Sequence, residues 1–233
     1  MPANPPKNRR MDAPLAPADM TLDELRPVLV EAMLPHVPFD GWGRAALEAA
    51  ATDIGILPAT ARLVFPGGAA QMVEAHVALA DARMRAALDT PEFRALKVRE
   101  KITAAIRTRL EQAAPHKEAA RRAANILAQP RNAPLAARLS WQTADSIWRL
   151  AGDTATDFNH YSKRTLAAAV YSATLLYWLA DDSDGHEASW AFLDRRIANV
   201  MQIEKAKARF RRDGGERPSL VRFLGRLRYP VEG

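Results

Sequence analysis

The stretch from Leu139 to Asp182, LSWQTADSIWRLAGDTATDFNHYSKRTLAAAVYSATLLYWLADD, constrains what this chain can fold into more than any other. It holds three of the five tryptophans and three of the four tyrosines of a protein that is only 7% aromatic. Trp141 and Trp148 lie two helical turns apart, so on a helix they share one face, with Ala144 between them. After a break at Gly152, the run from Tyr161 to Ala180 is apolar on nearly every side. A helix of that kind must be wrapped by others. The stretch therefore predicts the wall of an interior, and its density of aromatic rings suggests a hollow one.

A chain of 233 residues with 48% hydrophobic content can bury a full core, and one large domain accounts for that length. The absence of cysteine excludes disulfides, thiolate metal sites and thiol nucleophiles, and suits a reducing compartment. A formal charge of +6 and a pI near 9.9 point to acidic partners, either phosphate-rich polymers or an anionic membrane surface. Residues 1–20 are rich in proline, carry Lys7, Arg9 and Arg10, and read as a disordered tail rather than a secretory signal. The longest nearly uncharged run, Thr165 to Ala180, falls short of the roughly 20 residues that a bilayer span requires.

From Thr21 onward the pattern is helical almost without interruption, and no segment alternates with period two, so the fold class is all-α. Thr21 followed by Glu24 is a capping-box pattern opening the first helix, which Pro35 and Pro38 close. Further helices are expected from about Gly43 to Thr52, Pro58 to Phe65, Ala69 to Leu88, Glu92 to Ala113, His116 to Ala128 and Leu135 to Leu150. These divide into a head over 21–67, a helical body over 68–185, an amphipathic helix over 186–212 and a basic tail over 213–233.

The head resembles the helix-turn-helix of TetR-type transcriptional regulators: a helix, a glycine turn, the short helix PATARLVF, then Phe65-Pro66-Gly67 leading into a long helix. That likeness implies a TetR-like bundle with a hydrophobic cavity in its larger body, and a ligand-sensing regulator is one function to weigh. DNA binding draws most of its affinity from phosphate neutralisation. Between Thr21 and Ala75 the cations Arg26, Arg44 and Arg62 face Asp23, Glu24, Glu31, Asp40, Glu48, Asp53 and Glu74, a net negative surface. The charge favours a head kept for packing, with no nucleic-acid partner.

The surplus cations lie between Arg195 and Arg228. On the helix after Gly185, Trp190, Leu193, Ile197, Val200 and Met201 follow helical spacing as an apolar stripe flanked by Phe192. A basic amphipathic helix of this kind suits a membrane interface, and it suits equally a helix packed on its own bundle or on a second subunit. The segment Leu220 to Tyr229, LVRFLGRLRY, repeats the basic and apolar mixture and tilts the reading towards a membrane surface.

Catalytic constellations are scarce. His36, His76, His116, His160 and His186 are scattered, and no pair has the spacing of metal ligands on one helical face. There is no Walker sequence and no nucleophile elbow. Asp157 and His160 make at most a local pair. The chain reads as a binder rather than an enzyme, without metal or cofactor.

One block is more specific. SIWRLAGDTATDFNHYSKR from Ser146 to Arg164, then AAVYSAT around Tyr171 and SWAFLDRR from Ser189 to Arg196, resembles the family of the ubiquinone-biosynthesis accessory protein counted ninth among the coenzyme Q proteins, over about Leu22 to Met201. The resemblance implies a TetR-like homodimer that holds an isoprenoid or phospholipid guest and presents a quinone precursor to the di-iron demethoxyubiquinone hydroxylase. It implies a cavity lined by Trp141, Ile147, Trp148, Phe158, Tyr171, Leu175 and Trp178. It assigns hydroxylase docking to Asn159, His160, Tyr161, Lys163 and Arg164, and membrane contact to Trp190, Phe192, Leu193, Ile197, Val200 and Met201. Family members carry Trp where His160 stands, an exchange that removes an aromatic anchor from the docking surface. The expected location is the cytoplasm, peripheral on the inner face of a bacterial inner membrane.

Overall fold

A computed structural model describes residues 15–152 and 158–212, with side chains over 15–152 and 161–202. Eleven α-helices run through the described residues, which contain no strand. The head comprises α1 (Leu22–Met33), α2 (Val37–Asp40), α3 (Arg44–Asp53) and α4 (Pro58–Val64). The capping box forms as its residues require: the Glu24 carboxylate accepts from the Thr21 N–H at 2.8 Å, and the Thr21 hydroxyl oxygen accepts from the Glu24 N–H at 3.3 Å. Gly55 turns the chain between α3 and α4 at a φ of 72°, a conformation that costs little only without a side chain. Helix α2, with Pro38 in its first turn, has no periodicity long enough to have been seen in the sequence.

The body follows as α5 (Gly68–Ala87), α6 (Pro91–Ala95), α7 (Val98–Ala113), α8 (Lys117–Leu127), α9 (Ala133–Leu150) and α10 (Phe158–Leu179), and α11 (Glu187–Arg212) closes the order. The single helix expected from Glu92 to Ala113 is broken. Leu96 and Lys97 are extended, at ψ 153° and 155°, and α7 restarts behind them with Glu100 accepting from the Lys97 N–H at 2.9 Å. No Gly or Pro marks that break, so its only sequence signal was an acidic residue in a new first turn.

Two apolar clusters fill the molecule. The first packs Leu25, Leu29, Val30 and Met33 of α1 against Leu47 and Ala50 of α3, Val64 of α4, Val73 of α5 and Ala119 of α8. The second gathers Met84, Ile106, Leu110, Ile147, Tyr171, Trp178 and Leu193 from α5, α7, α9, α10 and α11. Head and body are tied by polar contacts. The Trp42 indole N–H donates to the Ala119 carbonyl at 3.0 Å and Arg122 to the Pro38 carbonyl at 2.6 Å.

Four helices of the body also meet at a buried charge. Arg109 of α7 donates through Nε to Asp81 of α5 at 2.7 Å and through a terminal nitrogen to the Tyr171 hydroxyl of α10. The Thr143 hydroxyl of α9 donates to the same carboxylate at 3.0 Å. All four residues are buried, and burial pushes the Tyr171 phenol above its ordinary range. A buried ion pair so fully hydrogen-bonded holds one arrangement of the four helices, because a shifted helix would strand a charge away from water.

Candidate functional site

Between α7, α9, α10 and α11 the structure leaves a cavity of about 300 Å³. Its walls are Val98, Arg99 and Ile102 of α7, Trp148 of α9, Ser162, Lys163, Leu166, Ala167 and Val170 of α10, and Ile197, Val200 and Met201 of α11. Ile102, Ala167, Val170 and Ile197 are buried, while Val98 is 50% and Met201 40% exposed, which places the mouth at the start of α7 beside Met201. An apolar cavity of ~150 Å³ holds a benzene-sized guest. At twice that volume, this one holds about a dozen carbon atoms, near the lower end of the roughly 300–1,000 Å³ range of ligand pockets.

Trp148 is fixed as a wall rather than a plug. Its indole N–H donates to the Lys163 carbonyl at 2.9 Å, and the Lys163 ammonium sits over the ring at 5.4 Å. A second cavity, about 30 Å³ beside His76, Arg109 and His116, has room for one water. No group of three His, Asp or Glu side chains among the described residues is placed to hold a metal ion.

The residues singled out for the lipid cavity separate. Trp148 lines it. Ile147, Tyr171 and Trp178 do not, because they are packed into the second core, where the Tyr171 hydroxyl is taken by Arg109. Leu175 packs against that core, and Trp141 is half-buried with its ring 5.9 Å from that of Tyr161. Phe158 lies outside the described side chains. The hollow is thus one layer away from where aromatic density had suggested. Its lining is mainly aliphatic because a void survives where short side chains such as Ala167 fail to meet, whereas large rings fill the space they occupy.

The docking and membrane assignments also change in geometry. Asn159 and His160, like the Asp157 pairing, fall outside the described side chains. Tyr161 is 61% exposed, whereas Arg164 is buried and donates to Asp145 at 2.6 Å, clamping α10 to α9. Although partial burial opposes it, the Arg164 hydrogen bond together with Arg149 holds the Asp145 carboxyl below its ordinary range. On α11, Trp190, Leu193 and Ile197 are buried against the bundle rather than facing outward. Ile197, Val200 and Met201 face the cavity, and Phe192 stacks on Tyr177 at 4.5 Å. The stripe is an inner face in this structure, which missed being legible because periodicity shows that a face is apolar without saying what covers it. The basic tail lies outside the described residues. No helix among the described residues is long and apolar enough to cross a membrane.

The head's cations are all engaged within the head. Arg44 and Arg62 both bind Glu48, at 2.6 and 2.8 Å, and Arg26 donates to the Val64 carbonyl at 3.3 Å.

Residues 133–204, which are α9, α10 and most of α11, match the family model described as COQ9. Over that stretch the chain is similar to the COQ9 family. All the lining residues of the cavity except Val98, Arg99 and Ile102 fall inside that COQ9 match. The chain is 31% identical to the "Ubiquinone biosynthesis protein COQ9, mitochondrial" of Drosophila melanogaster, over 78% of this chain and 57% of the relative. It is 30% identical to the Rattus norvegicus protein of the same name, over 78% of this chain and 60% of the relative. The Homo sapiens protein, at 29% identity, is covered to 59%. The chain therefore spans somewhat under two thirds of the length of these curated relatives. A crystal structure of a TetR transcriptional regulator from Nitrosomonas europaea superposes with a TM-score of 0.63 at 18% identity, over 77% of this chain and 99% of that one. At that identity the likeness is one of fold, and the fold is TetR-like and all-α.

Proposed function

We propose that this protein is a non-enzymatic accessory component of ubiquinone biosynthesis, as the names of its COQ9 relatives suggest, and that it works by binding lipid. The observation that carries the reading is the apolar cavity, which opens beside Met201 and draws all its walls except the α7 side from within the COQ9 match. At roughly 25 cal/mol per Å² of apolar area, an isoprenoid chain exposed to water costs many kcal/mol, so a quinone precursor needs a host whenever it leaves a bilayer. Only about a dozen carbons fit inside, so a longer chain is gripped at one end, and the remainder stays in a membrane or against a partner. That arrangement suits presentation to an enzyme, the di-iron demethoxyubiquinone hydroxylase, with exposed Tyr161 and its neighbour Trp141 as the contact surface. The protein acts as a homodimer at a membrane surface, on the inner face of a bacterial inner membrane.

A regulator of the TetR type shares this fold, but Arg44 and Arg62 are both committed to Glu48 and leave the head little positive charge for phosphate. Mass spectrometry of lipid extracted from the freshly purified protein tests the proposal. A prenylated or acyl guest is expected in the wild type, and much less of it in Ala167→Phe, which fills the cavity from a buried wall position. A wild-type protein free of lipid, or an undiminished guest in the variant, would overturn it.

A further inference from the structure

The chain breaks between α6 and α7 at the mouth of the cavity, and the corner it makes there is held firmly from both sides. The Thr90 hydroxyl caps α6 by accepting from the Phe93 N–H at 3.2 Å, and the buried Phe93 ring anchors that short helix. Leu96 and Lys97 then run extended, and Glu100 opens α7 by accepting from the Lys97 N–H at 2.9 Å. The corner presents Leu96 and Val98 to solvent, with Lys97 and Arg99 alternating between them and also exposed. Leu96 belongs to neither apolar cluster, while Val98 and the exposed Met201 of α11 line the cavity at its rim. A single exposed leucine needs no explanation. Three exposed apolar side chains at the opening of an apolar cavity, interleaved with cations, are what an interfacial contact requires: area to bury, and charge to meet phosphates. The nearby acids have local tasks. Asp89 pairs with Arg94, Glu100 caps α7, and Glu92 lies in the first turn of α6, where the helix dipole favours it.

We propose that the corner between α6 and α7 docks the cavity mouth on a lipid bilayer, with Leu96, Val98 and Met201 dipping below the head groups and Lys97 and Arg99 lying among the phosphates. The proposal rests on the lipid-binding reading and adds the element that brings mouth and membrane together. Trp190, Leu193 and Ile197 of α11 are buried against the bundle, so the apolar contact comes from this corner instead. A guest that slides from the bilayer into such a mouth does not cross water, which removes the cost of exposing its chain. The partial fit also follows, because carbons beyond about the first dozen stay in the bilayer that the corner touches. The contact surface proposed for the hydroxylase is made by α9 and α10, so the two dockings use different elements.

The full chain is floated with vesicles of phosphatidylcholine and phosphatidylglycerol in equal parts, and its co-purified lipid is measured alongside. The double variant Leu96→Asn with Lys97→Glu changes exposed side chains that do not line the cavity, and it keeps the backbone groups of both caps. It is expected to bind vesicles about tenfold more weakly, while its melting temperature and its lipid uptake from detergent micelles match the wild type. Leu96→Trp, which enlarges the interfacial side chain, is expected to bind vesicles more tightly, a gain that damage to the fold cannot produce. Unchanged flotation in the double variant, or no gain in Leu96→Trp, overturns the proposal. If the double variant floats normally but no longer binds the hydroxylase, the corner faces a protein and the proposal also falls. A wild type that carries lipid but does not float overturns docking and leaves lipid binding standing. One that floats but carries no lipid sinks the lipid-binding reading and leaves the corner as a membrane contact.

Discussion

His76 lies in contact with Trp42, ring centroids 4.9 Å apart, on the head side of the body. Burial first, and then the positive charges of Arg109 and Arg83 and the ring of His116, lower its imidazole from 6.5 to about 3. In the unfolded chain the same ring takes up a proton near pH 6.5, so the stability that depends on a neutral His76 is complete above that pH and is lost as pH falls towards 3, at about 1.4 kcal/mol per unit. Urea denaturation at pH 7 and pH 5 should show the wild type losing roughly 2 kcal/mol more than His76→Gln. Equal losses would mean that the imidazole takes up its proton as readily in the folded protein as in the unfolded chain. Arg109 and Asp81 form the other residue-scale commitment. Asp81→Ala leaves a buried guanidinium without its counter-charge and should cost about 3–5 kcal/mol, while the pair Asp81→Leu with Arg109→Met should recover much of that loss. Neither residue stood out in the sequence, because a charge reveals its burial only through neighbours brought in by the fold.

At the scale of elements, α11 depends on what it lies against. Leu193 is 1% exposed in the second core, so Leu193→Ala should lower stability by roughly 2–5 kcal/mol, whereas Met201→Ser at the rim should be nearly neutral; thermal melts of the two variants check this. Matching melting temperatures for both would return the stripe to the surface. Much of the element pattern was legible beforehand. Thr21 with Glu24, Pro58 at the first turn of α4 and the seven-residue spacing of Trp141 and Trp148, both of which turn towards α10, are local signals that local physics decides. The split between α6 and α7 was hidden because it is made by two extended residues of ordinary type, Leu96 and Lys97. The lining was half legible. Trp148, Lys163, Ile197, Val200 and Met201 were named, though under three different roles, and Val98, Arg99 and Ile102 carried no sign of facing them.

Across the whole molecule, head and body form a TetR-like bundle, yet the head spends its cations on itself. Fluorescence anisotropy with labelled duplex DNA at physiological salt should show no saturable binding below micromolar concentration, and a steeply salt-dependent, sub-micromolar complex would reinstate the regulator. The cavity draws one side of its wall from α7, which lies outside the stretch matched to the COQ9 family. A fragment cut to 133–204 would therefore open the hollow along its whole length and bare the inner stripe of α11 to water. The smallest piece that keeps all the walls of the hollow reaches back to Val98, so the stretch with a recognisable signature is shorter than the unit that encloses the space.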